Sequence, residues 1–63
     1  MKITLSVREM IANAYSLGDF SARLDDGRPI TAFDDDNIWI DGEAFSLTEE
    51  WLDRKVEIER SRP

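Results

Sequence analysis

The sequence predicts an α+β domain: an N-terminal helix packed on a small antiparallel β-meander, followed by a short second helix and a C-terminal strand. Three observations predict it. Apolar residues recur at helical spacing over residues 7–17, directly behind a helix-start signature. From Phe20 onward the apolar period changes to two. Asp-Gly pairs then punctuate the alternating segments, as hairpin turns do.

The helix is the clearest element. Ser6 followed by Glu9 fits a capping box, in which each side chain bonds the other's backbone N–H. Leu5 and Met10 stand where a hydrophobic staple closes. Val7, Met10, Ile11, Ala14 and Leu17 form one stripe. Gly18 is placed to end the helix in the left-handed conformation. Met1 to Leu5 reads either as a short strand or as a frayed lead-in. Tyr15 lies beside the stripe, as a boundary residue.

Phe20, Ala22 and Leu24 alternate with Ser21 and Arg23, the pattern of a half-buried strand. Asp25-Asp26-Gly27-Arg28 is a turn, and Pro29 to Phe33 a second strand that tolerates proline as its first residue. Asp34-Asp35-Asp36-Asn37 is a polar loop, followed by the strand Ile38-Trp39-Ile40. Asp41-Gly42 is the strongest two-residue hairpin signal, with Glu43 to Leu47 returning as a fourth strand.

Ser46 or Thr48 can cap a short helix beginning at Glu49 and Glu50, which suit its positive end. Lys55 to Arg60 alternates apolar and charged residues and reads as a strand, with one helix from Glu49 to Arg60 as the competing reading. Ser61, Arg62 and Pro63 are expected to fray. The expected core is Val7, Met10, Ile11, Ala14, Phe20, Leu24, Ile30, Ile38, Ile40, Phe45, Leu52 and Val56.

Composition bounds the chemistry. The 63 residues suffice for one domain, read as spanning residues 1–63, and a chain this short needs one well-packed core. There is no His and no Cys, which removes Ser–His–Asp and Cys–His catalysis and the commonest metal ligands. No run of about 18 apolar residues is present, and the N-terminus lacks a secretory h-region, so a cytoplasmic protein is expected. Read as a calcium loop, Asp34 would need Gly and Glu where Trp39 and Phe45 stand. No metal, cofactor or enzymatic activity is expected.

Charge is the feature that points to function. The chain holds 14 acidic and 8 basic side chains, a net charge of -6. Residues 19–53 contain eleven acids against only Arg23 and Arg28. The remaining residues are net basic. Direct binding to nucleic acid or to an anionic membrane is disfavoured by sign. Alternate turns of a meander lie at opposite ends of its strands. Asp25, Asp26 and Asp41 therefore share one end with Glu43 nearby, and Asp34, Asp35 and Asp36 lie at the other. The expectation is that they gather into a continuous negative face.

Strand rise is about 3.3 Å per residue, close to the roughly 3.4 Å phosphate spacing along one DNA strand. Carboxylates on extended backbone can therefore imitate phosphates to a groove lined with Lys and Arg. The ordinary reading of an acidic surface is solubility. Against it stands the repulsion cost of concentrating the charge in a domain with little stability to spare.

Trp39 is the other candidate contact. If Ile38 and Ile40 face the helix, Trp39 faces the other way and can anchor a partner. Its ordinary reading is packing on the sheet's second face, or a reversed register.

The ending Leu47-Thr48-Glu49-Glu50-Trp51-Leu52-Asp53-Arg54-Lys55-Val56-Glu57-Ile58 resembles the close of many tiny phage-encoded proteins. In size, lack of Cys and concentrated acidity the whole chain is similar to phage anti-CRISPR proteins, several of which offer a DNA-like acidic surface. That group is defined by role and assigns no residue. The resemblance implies only a class of partner, a basic nucleic-acid-binding effector of bacterial defence. The leading expectation is a non-catalytic inhibitory binding protein that occupies the nucleic-acid groove of such a partner, as a monomer. The competing expectation is a structural, assembly or antitoxin-like module that binds through an apolar face including Trp39.

Overall fold

Ser6 ends one element and starts the next. In the computed structural model, which describes residues 2–60, Ser6 closes strand β1 (Lys2–Ser6) and caps helix α1 (Val7–Leu17). Its hydroxyl accepts from the Glu9 N–H at 3.1 Å, and its own N–H donates to Glu9 Oε1 at 2.9 Å. This is the capping box read from the sequence. The alternative for residues 2–5, a frayed lead-in, is excluded, because β1 pairs along its whole length with the C-terminal strand. Gly18 ends α1 with φ 70 and ψ -140, so φ is positive but ψ falls outside the left-handed helical region that was expected.

The chain then forms β2 (Phe20–Leu24), β3 (Pro29–Phe33), β4 (Asn37–Ile40) and β5 (Glu43–Ser46), an antiparallel meander. At the β4–β5 turn Asp41 and Gly42 both have positive φ, 50 and 86, as a type I′ hairpin demands. Thr48, rather than Ser46, caps α2 (Glu49–Leu52) by accepting from the Trp51 N–H at 3.3 Å. Asp53 ends that one-turn helix, and β6 (Lys55–Arg60) follows as a strand, so the single long helix is ruled out. The fray expected at 61–63 lies outside the described residues.

The strand order is β1-β6-β2-β3-β4-β5, all neighbours antiparallel. The last strand is thus inserted between the first two, Ile58 lying between Ile3 on one side and Ala22 on the other. Helix α1 packs on this half of the sheet, against β1 and β6.

The buried residues are Val7, Met10 and Leu17 from α1 with Ala22, Leu24, Ile38, Ile40, Val56 and Ile58 from the sheet. Leu17, Ala22 and Ile58 were missing from the expected core. Ile11, Ala14, Phe20, Ile30, Phe45 and Leu52 were expected in it and are only half-buried. The reason is coverage. Six strands span about 24 Å, whereas a helix with its side chains is about 10 Å across. Helix α1, lying over the β1–β6 side, therefore cannot seal the whole inner face and leaves part of it open. Phe20 and Phe33 meet there at 6.2 Å, and Phe45 meets Trp51 at 5.2 Å. Tyr15 is fully exposed rather than a boundary residue.

Among the described residues, no helix covers the other face of the sheet. The pleat places Trp39 there, opposite Ala44 on β5 and Ala32 on β3. Trp39 is half-buried, and Ile38 and Ile40 point to the core, so the register is the one expected.

Candidate acidic interface

The meander separates the acidic residues into two groups. Asp25, Asp26, Asp41 and Glu43 cluster at one end of the strands, and Asp34, Asp35 and Asp36 project from the opposite end. Four strand residues span about 13 Å, so no single continuous face contains all seven. The continuity expected from the sequence is corrected accordingly.

Two members of the first group, Asp25 and Asp26, are answered by the protein's own arginines. Asp26 Oδ2 accepts from Arg28 Nε at 2.9 Å, and its Oδ1 accepts from the Arg28 backbone N–H at 3.0 Å. Those bonds hold the Asp26 carboxyl below its ordinary range and raise the Arg28 guanidinium. Glu43 and Asp41 also lie in the field of Arg28. Arg54 adds contacts to Asp25 at 3.1 Å and to Asp26 at 3.7 Å. Nearby, Arg8 bridges Glu49 at 2.9 Å and Asp53 at 3.2 Å, which raises its own pKa, chiefly through the bond to Glu49. The sequence expectation missed these matches because Arg8 and Arg54 lie far along the chain from the acids they meet. The Asp26-Gly27-Arg28 spacing was the one legible signal.

The second group is different. Asp34 Oδ1 accepts from the Asp36 N–H at 2.8 Å and from the Asn37 N–H at 2.7 Å, an Asx turn closed by its own side chain. The Asp34 N–H donates to Asn37 O, and the Leu47 N–H to Asp36 O, both at 2.9 Å. The β3–β4 turn is therefore closed by its own backbone and tied to the residue that follows β5. Asp34, Asp35 and Asp36 are all exposed. Among the described residues, no basic group forms an ion pair with any of them.

A depression of about 460 Å³ is lined by Glu50, Trp51 and Arg54. It presents one carboxylate beside an arginine already engaged by Asp25. Among the described residues, no group of three or more acidic side chains converges as a metal site, and no helix is long and apolar enough to cross a membrane.

Comparison of the chain with protein-family models, with curated proteins and with solved structures finds no match.

Proposed function

We propose that this chain is a non-catalytic inhibitory binding protein that docks its β3–β4 turn into the basic nucleic-acid-binding groove of another protein. One observation carries the reading. Asp34, Asp35 and Asp36 form an exposed acidic turn, closed by its own hydrogen bonds, that no arginine among the described residues neutralises, whereas Asp25 and Asp26 at the other end of the sheet are paired. A pinned backbone lowers the entropy lost on docking, and three neighbouring carboxylates offer a short run of phosphate-like charge. The class of action is that of the acidic DNA mimics among phage anti-CRISPR proteins, with a CRISPR effector subunit as partner and the bacterial cytoplasm as the place of action. Asp41 and Glu43 extend the surface, and Asp25 and Asp26 join it only where the partner's bases outcompete Arg28 and Arg54.

The test is competition with DNA across a panel of CRISPR effector complexes at low and high salt. The reading expects this protein to displace DNA from one of them, with affinity falling steeply as salt rises. Binding that is indifferent to salt would favour the second reading, an assembly or antitoxin-like module. The half-buried Trp39 beside Ala32 and Ala44 on the uncovered sheet face supports that alternative. Trp39→Ala would then abolish binding, and the acidic turn would be dispensable.

A further inference from the structure

The sheet has two edges, and the fold treats them differently. In an antiparallel pair, alternate residues exchange both backbone hydrogen bonds, and the residues between them turn their N–H and C=O away. The Leu47 N–H donates to Asp36 O, and these residues stand one step beyond the Ser46–Asn37 pair. Phe45 and Glu43 are therefore the β5 residues bonded to β4, and Ala44 and Ser46 turn their backbone groups outward. Among the described residues, no strand lies on that side. Both residues are exposed, and among the described residues neither backbone has a hydrogen bond outside the sheet ladder.

At the β1 edge the same logic applies. The Val7 N–H donates to Arg54 O at 2.8 Å, one step beyond the Ser6–Lys55 pair, so Lys2, Thr4 and Ser6 face outward. That edge is guarded. The Ser6 N–H is taken by Glu9 Oε1, the chain turns away into α1, and Lys2 occupies the other end. Strand β5 has none of these devices: no Lys, no Pro, and an unbroken register with β4.

We infer that β5 is a docking edge that accepts an extended, basic segment of a partner protein as a seventh strand. Charge selects the occupant. Asp41 and Glu43 lie at one end of the edge and Asp36 at the other, and β5 itself carries no base. A second copy is the wrong occupant. Antiparallel pairing of two β5 strands about Phe45 brings the Asp41–Glu43 turn of each against the Asp36 end of the other, with like charges meeting. An incoming strand would also set a side chain beside Ala44 and Trp39 on the uncovered face. The inference rests on the proposed function for the sign of the partner's charge, whereas the strand pairing rests on the backbone alone.

The probe is a synthetic hexapeptide alternating lysine and valine, titrated into the full chain while amide hydrogen exchange is followed by NMR. The expected result is about tenfold or greater slowing of exchange at Ala44 and Ser46, with the Phe45 amide already protected in the free protein. Ala44→Pro removes only an outward N–H, so the fold should persist while peptide binding falls about tenfold or more. Peptide binding that leaves Ala44 and Ser46 unprotected, or no binding at all, would overturn the inference even if the proline variant failed to fold. If Asp34, Asp35 and Asp36 changed together to Asn lose DNA competition while the edge stays unprotected, the docking edge fails and the proposed function stands. Edge protection in a protein that never displaces DNA supports the docking edge and overturns the proposed function.

Discussion

The Arg54 guanidinium lies 4.9 Å from the ring centroid of Trp51 while its Nη2 reaches Asp25 at 3.1 Å. One side chain thus ties the junction of α2 and β6 to the β2–β3 turn, two segments that share no strand pairing. Its head stacks on the Trp51 ring and neutralises part of the acidic group at that end.

Arg54→Ala should therefore destabilise the domain through lost packing as much as lost charge. An exposed cation–π contact contributes about 0.5–1 kcal/mol. In a domain of this size about 1 kcal/mol moves the melting midpoint by roughly 4–8 °C. A thermal scan showing a fall of several degrees is the expected outcome, and an unchanged midpoint would show that the stacking is idle.

The capping box makes a second local prediction. Ser6→Ala removes the acceptor for the Glu9 N–H and should cost about 1 kcal/mol. Ser6→Asp keeps an acceptor at the N-cap and should recover most of the loss. Urea unfolding followed by circular dichroism checks both. Equal midpoints for wild type and Ser6→Ala would contradict the reading.

Acid sensitivity follows from two carboxylates held below their ordinary range. Glu9 is held there mainly by the Ser6 backbone N–H, and Asp26 mainly by the Arg28 guanidinium. A group whose pKa is depressed in the folded state contributes stability that is present above its unfolded value, about pH 4 for a carboxyl, and is lost as pH falls through the folded value. Urea midpoints should hold from about pH 7 to about 5 and decline below about pH 4. The double variant Glu9→Gln with Asp26→Asn should flatten that decline. An identical acid limb in the two proteins would show that neither group is linked to folding.

Ile58 tests the core. It is fully buried, and its strand neighbours are Ile3 and Ala22. A buried Ile→Ala change costs about 2–5 kcal/mol, against a total of roughly 3–9 kcal/mol for a chain of this length. Ile58→Ala should remove a large share of the stability and lower the melting midpoint by well over about 8 °C, whereas Ile58→Val should cost about 0.5–1.5 kcal/mol. If Ile58→Ala proved as stable as Ile11→Ala at the half-buried flank of α1, the assignment of the core centre would be wrong.

Local chemistry was legible in the sequence, and long-range pairing was not. Ser6 with Glu9, Asp41 with Gly42, and Thr48 before Glu49 each specify their structure within four residues. The insertion of β6 between β1 and β2 is set by contacts some fifty residues apart, which no local pattern encodes. That insertion puts Ile58, absent from the expected core, among its fully buried residues. The same limit applied to charge. Asp34, Asp35 and Asp36 could be placed on an exposed turn, but Arg8 meets Glu49 across 41 residues, and only the fold shows which acids remain unmatched.

The measurement that bears most directly on the proposed interface compares wild type with Asp34, Asp35 and Asp36 changed together to Asn. The asparagine replacing Asp34 would retain the side-chain oxygen that closes the turn, so the substitution removes charge while preserving the backbone. Titrated against an effector holding labelled DNA, wild type should displace the DNA, and the variant should require about tenfold or more protein to do so. Equal displacement by the two proteins, with matched melting curves, would contradict the account.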